Sequence, residues 1–197
     1  MARVRAEDYD DKREAILLRA ARVFAHSGTE RASMSGVADA CGISKALLYH
    51  YYDSKDALIF DIISTHLSGI ENALLKAPSD GSPEVHLRNL CQALLAQYEN
   101  ADDLHRVQLT SLETLPEDKA VEIRQSERRI VAVFSAAIAA LDEKIANDRR
   151  LLIPVTMSLL GMLNWAFMWF RPGRGMTRAE YADLAATLAI EGIKKLD

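Results

Sequence analysis

Cysteine, proline and glycine are all scarce in this chain of 197 residues, with two, five and nine copies. The two cysteines, Cys41 and Cys91, stand far apart. Each lies inside a helix-like stretch, and no pair or cluster has metal-ligand spacing. They read as small buried thiols in a reducing compartment. Met1 to Asp11 is charged and lacks the apolar core of a secretory signal, so a cytoplasmic location is expected. A nucleophile elbow, a glycine-rich phosphate loop and paired catalytic carboxylates are also missing. His26, His66, His86 and His105 are scattered along the chain, each fit to cap, pack or face water. No enzyme is expected, with no catalytic residue, metal or cofactor. Strand-like alternation, internal repeats and low-complexity tracts are scarce as well, which points to an all-α fold.

What is present is a core-forming composition, 49% apolar, with 26% charged residues and a net charge of -4. The overall sign does not favour nucleic acid, but its distribution does. Between Lys12 and Lys55 there are seven basic and four acidic residues, so that stretch carries about +3 and the remainder about -7. A basic head on an acidic body suits a protein that brings one end to phosphate and keeps the other away.

The few breakers divide the chain into about nine helices. The first spans about Asp8 to Ser27, with Ile16, Ala20, Val23, Phe24 and Ser27 on one stripe and Gly28 as a C-cap. Ser33 can cap a short second helix to Cys41, with Met34, Val37, Ala38 and Cys41 inward. Gly42 ends it, because a turn this tight calls for positive φ. Ser44 caps a third helix, Lys45 to Tyr51. Asp53-Ser54 caps a long fourth, to Lys76, with the stripe Leu58, Ile59, Ile62, Ile63, Leu67, Ile70 and Leu74. After the polar loop Ser79 to Pro83 come helices over about Glu84 to Asn100, Ala101 to Leu115, Glu117 to Asn147, Asp148 to Phe170, and Thr177 to Lys195.

Two short helices joined by a tight glycine turn and packed on a longer first helix make a helix-turn-helix. Its second helix must show small or polar residues to base edges and apolar ones to its partner. In Gly42 to Tyr51, Ile43, Leu47 and Leu48 are the expected anchors, with Tyr51 also inward, while Lys45, Ala46 and His50 are the readers. Lys45 can donate to guanine O6 and N7 or to phosphate, and Ala46 can touch a thymine methyl. Tyr49 can give its hydroxyl to a phosphate. Lys55, at the start of the next helix, is expected to hold another phosphate with the free N–H groups there. Ser33 and Ser44, caps that can also touch phosphate, complete the expected DNA-facing set together with Ser35.

The stretch SMSGVADACGISKALLYHYYDSKDAL resembles the DNA-binding region of TetR-type regulators. The likeness rests on small residues at Ser33 to Ser35, Val37-Ala38, Gly42-Ile43-Ser44, Leu48-Tyr49, the aromatic Tyr52, Lys55 and Leu58. Tyr52 departs from the family's usual phenylalanine. The resemblance implies a homodimer whose heads each read half of a palindromic double-stranded operator, and a small molecule in the larger domain that releases the DNA. Residues 1–53 would form the DNA-binding domain and 54–197 the ligand-binding and dimerisation domain.

Leu151 to Phe170 runs for twenty residues without a charge. That length could span a membrane, but Pro154, Thr156, Ser158, Gly161 and Asn164 dilute it, so a buried helix is expected and no membrane partner. The resemblance implies that the last two long helices pair with those of a second subunit. Tyr181, Leu184, Ala185, Leu188, Ala189 and Ile193 fall at helical spacing to support this. Expected effector-side residues are Tyr98, Gln108, Leu112, Phe134, Met162, Asn164, Trp165, Met168 and Arg171. Asn164 is the most informative, since an amide inside an apolar run needs a partner. Trp169 to Thr177 further resembles a segment of those TetR-type regulators that respond to acyl-CoA thioesters, which implies that Arg171 and Arg174 meet CoA phosphates. The effector would then be an acyl-CoA or a hydrophobic acid. The alternative is a helical protein that binds small molecules or other proteins without touching DNA.

Overall fold

A computed structural model describes residues 2–171 and 173–196, apart from the side chains of residues 2–8 and 10. Pro172, part of the segment that resembles acyl-CoA-responsive regulators, lies outside the described residues. Among the described residues every regular element is helical. In order these are α1 (Ala2–Ser27), α2 (Met34–Cys41), α3 (Lys45–Tyr51), α4 (Lys55–Lys76), α5 (Pro83–Gln97) and α6 (Asp102–Ser111). A 3₁₀ turn (Leu112–Thr114) follows, then α7 (Glu117–Ala139), α8 (Glu143–Asn147), α9 (Arg149–Asn164), α10 (Ala166–Trp169) and α11 (Arg178–Ile193).

The nine expected spans are all present, and two of them are divided. Asp142 caps a new helix by accepting from the N–H groups of Lys144 and Ile145, which separates α8 from α7. The backbone breaks again at Trp165, so the long apolar run becomes α9 and α10. Pro154 sits inside α9 without ending it. The fifth helix stops at Gln97 rather than Asn100, whose φ of 60° takes it out of helical geometry. The first helix begins earlier than expected, at Ala2.

Two compact units result. The first takes the chain to Leu67 together with Asn100–Gln125. Its core is Ile16, Ala20 and Phe24 of α1, Val37 and Ala38 of α2, Leu48 of α3, and Leu58, Ile59, Ile62 and Ile63 of α4, none more than 4% exposed. Ser27, counted on the α1 stripe from its spacing, is exposed. The second unit takes Ser68–Glu99 and Ser126–Asp197. There Arg88 of α5 donates to the Asp183 carbonyl and to Thr187 Oγ1 of α11, and Gln92 donates to the Asp183 carboxylate at 2.8 Å. Tyr181 of α11 donates to the Met162 carbonyl of α9 at 2.9 Å. The first turn of α11 is closed by a reciprocal cap, Thr177 Oγ1 accepting from the Glu180 amide and Glu180 accepting from the Thr177 amide.

Candidate nucleic-acid interface

The geometry of the head follows from four short-range devices. Gly28 turns the chain out of α1 at φ 78°. Ser33 then starts α2, its hydroxyl accepting from the Gly36 amide at 3.1 Å. Gly42, at φ 67°, ends α2 in the left-handed region, where its amide and that of Ile43 return to the Asp39 and Ala38 carbonyls. Ser44 starts α3 at once, accepting from the Leu47 amide at 3.1 Å. With its ends fixed in this way, α3 has one orientation: Leu48 is fully buried.

That orientation sorts the remaining residues. Ser44, Lys45, Ala46, Tyr49 and His50 are exposed on one helix, and Ser33 and Ser35 are exposed at the start of α2. Lys45 holds its ammonium 5.8 Å from the centre of the Tyr49 ring, so the two outward side chains are neighbours. Leu47, expected as an anchor, is 40% exposed, because Leu48 alone occupies the inward position of so short a helix. Leu47 instead lines a shallow cleft of the first unit with Ile43, Tyr51, Ile16 and Arg19. Arg19 is pinned there, donating to the Cys41 carbonyl at 2.8 Å.

Lys55 does not point outward. Its Nζ lies 2.7 Å from the Thr29 carbonyl oxygen, 3.3 Å from that of Ala32 and 3.5 Å from that of Glu30. The ammonium expected at a phosphate is thus turned into the loop between α1 and α2.

Three relationships in the first unit were not visible in the sequence. Tyr9 near the start of α1 stacks on Tyr51 at the end of α3, with ring centres 4.7 Å apart. Asp61 accepts from Tyr52 Oη at 2.7 Å and also pairs with Arg13. Burial, and then the Asp61 carboxylate, push the Tyr52 phenol well above its ordinary range. The hydroxyl that distinguishes Tyr52 from a phenylalanine is therefore used. His66 of α4 and His105 of α6 face one another in the interior, with ring centres 5.7 Å apart. Burial, and secondarily the neighbouring His105, push His66 down to about 3. Either partner of such pairs looks unremarkable alone, and only tertiary structure brings them together.

The nine effector-side residues are divided between the units. Gln108 and Leu112 belong to the first, half-buried on α6 and on the turn after it. The other seven belong to the second. Phe134 is fully buried in α7. Tyr98 and Asn164 meet, Oη to Oδ1 at 2.7 Å, so the amide has its partner. Burial raises the Tyr98 phenol far above its usual value. Met162 lines an open apolar groove of about 380 Å³ between α9 and α11. Trp165 and Met168 are 59% and 45% exposed, and Arg171 is exposed with Nη1 on the Phe170 carbonyl. Exposed Arg174 and Trp169 lie on the same segment.

A family model described as "Bacterial regulatory proteins, tetR family" matches residues 16–62, and one described as "Tetracyclin repressor-like, C-terminal domain" matches residues 80–193. The chain belongs to the TetR family. It is a DNA-binding transcriptional regulator of that family, and the helix-turn-helix is α2 to α3. A TetR-family regulator from Bordetella parapertussis is 31% identical and superposes with a TM-score of 0.84, over 94% of this chain and 97% of that one. The repressor KstR2 of Mycolicibacterium smegmatis is 21% identical over 92% of this chain and 90% of its own length. AibR, solved with isovaleryl coenzyme A and operator DNA, is 25% identical with a TM-score of 0.75, over 90% of this chain and 97% of that one.

Proposed function

We propose that this TetR-family chain is a homodimeric repressor that lays α3 in the major groove of a palindromic operator and leaves it when a small effector binds. The observation that carries this reading is the outward face of α3. Ser44, Lys45, Ala46, Tyr49 and His50 surround a fully buried Leu48, which leaves one short helix offering donors and a small residue to base edges. In this reading Lys45 and His50 read bases, Ala46 permits close approach, and Ser33, Ser35, Ser44 and Tyr49 hold phosphates. Residues 1–53 act as the reader and 54–197 as the effector-binding and dimerising part. Such a reader works in the cytoplasm, with DNA.

Dimerisation is supported by α9 and α11. Ile153 and Met157 of α9 and Leu184 and Leu188 of α11 are each at least 40% exposed, and Leu188 lines the groove between these helices. The stretch Arg149–Trp169 is apolar enough to cross a membrane, yet only 28% of it is buried in the single chain. A second copy supplies the cover that one chain lacks.

The effector we assign is a hydrophobic acid carried as its acyl-CoA thioester. AibR was solved with such a thioester and with operator DNA. Here Arg171 and Arg174 stand exposed on a segment that also carries Trp169, a combination suited to phosphates and an adenine ring. The test is a gel shift on a duplex enriched from random sequence by the protein itself. Acyl-CoA esters of varied chain and ring type are then added. Release by one class supports the reading, and indifference to all of them removes the acyl-CoA assignment. If no duplex is enriched and affinity for DNA does not fall with salt, the chain is a helical binding protein of another kind.

A further inference from the structure

We infer that Leu47 is a thymine reader: its exposed side chain meets the C5 methyl group of a thymine in the major groove and sets the base preference there. The inference rests on the DNA-binding reading of α3.

The helix α3 has two unlike flanks. At about 100° of turn per residue, Ala46 and His50 lie opposite the buried Leu48. Lys45 and Tyr49 stand on one side of them, the ammonium 5.8 Å from the ring centre. Leu47 and Tyr51 stand on the other side, and that flank is apolar. Tyr51 is braced by Tyr9 of α1, with ring centres 4.7 Å apart. Leu47, Tyr51 and Ile43 line an open cleft of about 210 Å³ together with Ile16. Leu48 holds α3 on the core, while Leu47 stays 40% exposed.

Two observations say what covers this flank. Leu47 belongs to the same seven-residue helix as Lys45 and His50, in the segment that matches the family's DNA-binding model, so it enters the groove with them. Lys12 and Arg19 line the same cleft, which gives its surroundings the positive charge that suits a polyanion.

The chemistry of the groove narrows the contact to one group. Base edges there present donors, acceptors and a single apolar group, the thymine methyl. A leucine laid on donors or acceptors displaces water and returns no hydrogen bond. Laid on a methyl, it takes apolar surface out of water on both partners. Leu47 therefore favours thymine and disfavours the other bases at the position it faces.

Deoxyuridine lacks only that methyl, and in the test it replaces thymidine one position at a time in the enriched duplex. The unsubstituted protein should lose about four-fold in affinity for a methyl that Leu47 covers, the value of one buried carbon. Leu47→Ala should bind the thymine duplex about four-fold or more weakly and lose nothing further from deoxyuridine at that position. Its response at other thymines should stay. Leu47→Met, apolar and of similar volume, should keep the discrimination. Both variants should unfold close to the temperature of the unsubstituted protein, because the side chain is exposed. Where Leu47→Ala does not fold, the complex of the unsubstituted protein decides: methyl-labelled leucine should show an Overhauser contact between Leu47 and a thymine methyl, and deoxyuridine should abolish it. The inference is overturned if Leu47→Ala responds to every deoxyuridine as the unsubstituted protein does. It is also overturned if no thymine methyl matters to the unsubstituted protein, or if that Overhauser contact is missing. Failure to enrich any duplex would instead count against DNA binding as such.

Discussion

Tyr98 donates its phenolic hydrogen to Asn164 Oδ1 across 2.7 Å, joining the C-cap of α5 to the last residue of α9. The hydroxyl is 3% exposed with its residue, so the acceptor matters more than a surface partner would. Asn164→Leu should cost about 1–3 kcal/mol, because it removes the acceptor of a buried donor. Adding Tyr98→Phe should recover part of that loss, since both polar groups are then gone. Urea midpoints of the two single variants and the double variant give the coupling. Strict additivity would mean that the contact has no energetic weight.

The face of α3 makes a second prediction, in which two positions three residues apart behave oppositely. Lys45→Ala removes an exposed donor and should leave stability within about 0.5 kcal/mol. It should change which duplexes are enriched, costing about 1–3 kcal/mol at the base pair that Lys45 reads. Leu48→Ala empties a fully buried position, should cost about 3 kcal/mol of stability, and should weaken all duplexes together. Enrichment and thermal unfolding of the two variants, run side by side, check the pair. Unchanged preference in Lys45→Ala would put base reading elsewhere.

Local signals made the helix-turn-helix legible almost residue by residue. Ser33, Gly42 and Ser44 act within one turn of themselves, and the buried set Met34, Val37, Ala38 and Cys41 repeats at helical spacing. The bounds of α3 and α4 are those the caps predict. What escaped was set by tertiary contact. Leu47 and Leu48 are equally apolar, and only packing decides that one is buried and the other 40% exposed. Lys55 is legible as the start of a helix, while the carbonyls that its ammonium meets come from a loop more than twenty residues earlier. Asp142 could have been read as a cap, and the strong apolar period on either side of it concealed the break.

The His66–His105 pair gives a pH prediction whose sign is opposite to that of a paired histidine. Burial holds His66 near 3, below its unfolded value of 6.5, so the unfolded chain binds a proton that the folded one refuses. Stability should therefore be intact above about pH 6.5 and fall as pH drops from there toward 3. One proton supplies at most about 1.4 kcal/mol per pH unit, or about 2 kcal/mol by pH 5. His66→Gln should remove that share of the slope. Urea midpoints at pH 7 and pH 5 decide it: an equal slope in both proteins would place the acid sensitivity in other groups.

The last prediction concerns α9 and α11, where exposure and composition disagree. Met157 and Leu188 are 51% and 55% exposed, yet they belong to helices otherwise built for a core. Leaving such side chains in water is costly at roughly 25 cal/mol per Å² of apolar surface, and a second copy placed on them removes that cost for both chains at once. Met157→Asp and Leu188→Asp should each shift the protein toward monomer in sedimentation velocity. The fold itself should survive, because neither side chain contributes to the buried set of its own chain. Since a dimer doubles the contact with a two-part operator, the monomer should lose affinity for the enriched duplex far more than for a single half of it. An unsubstituted protein that sediments as a monomer at micromolar concentration would refute the pairing of these helices.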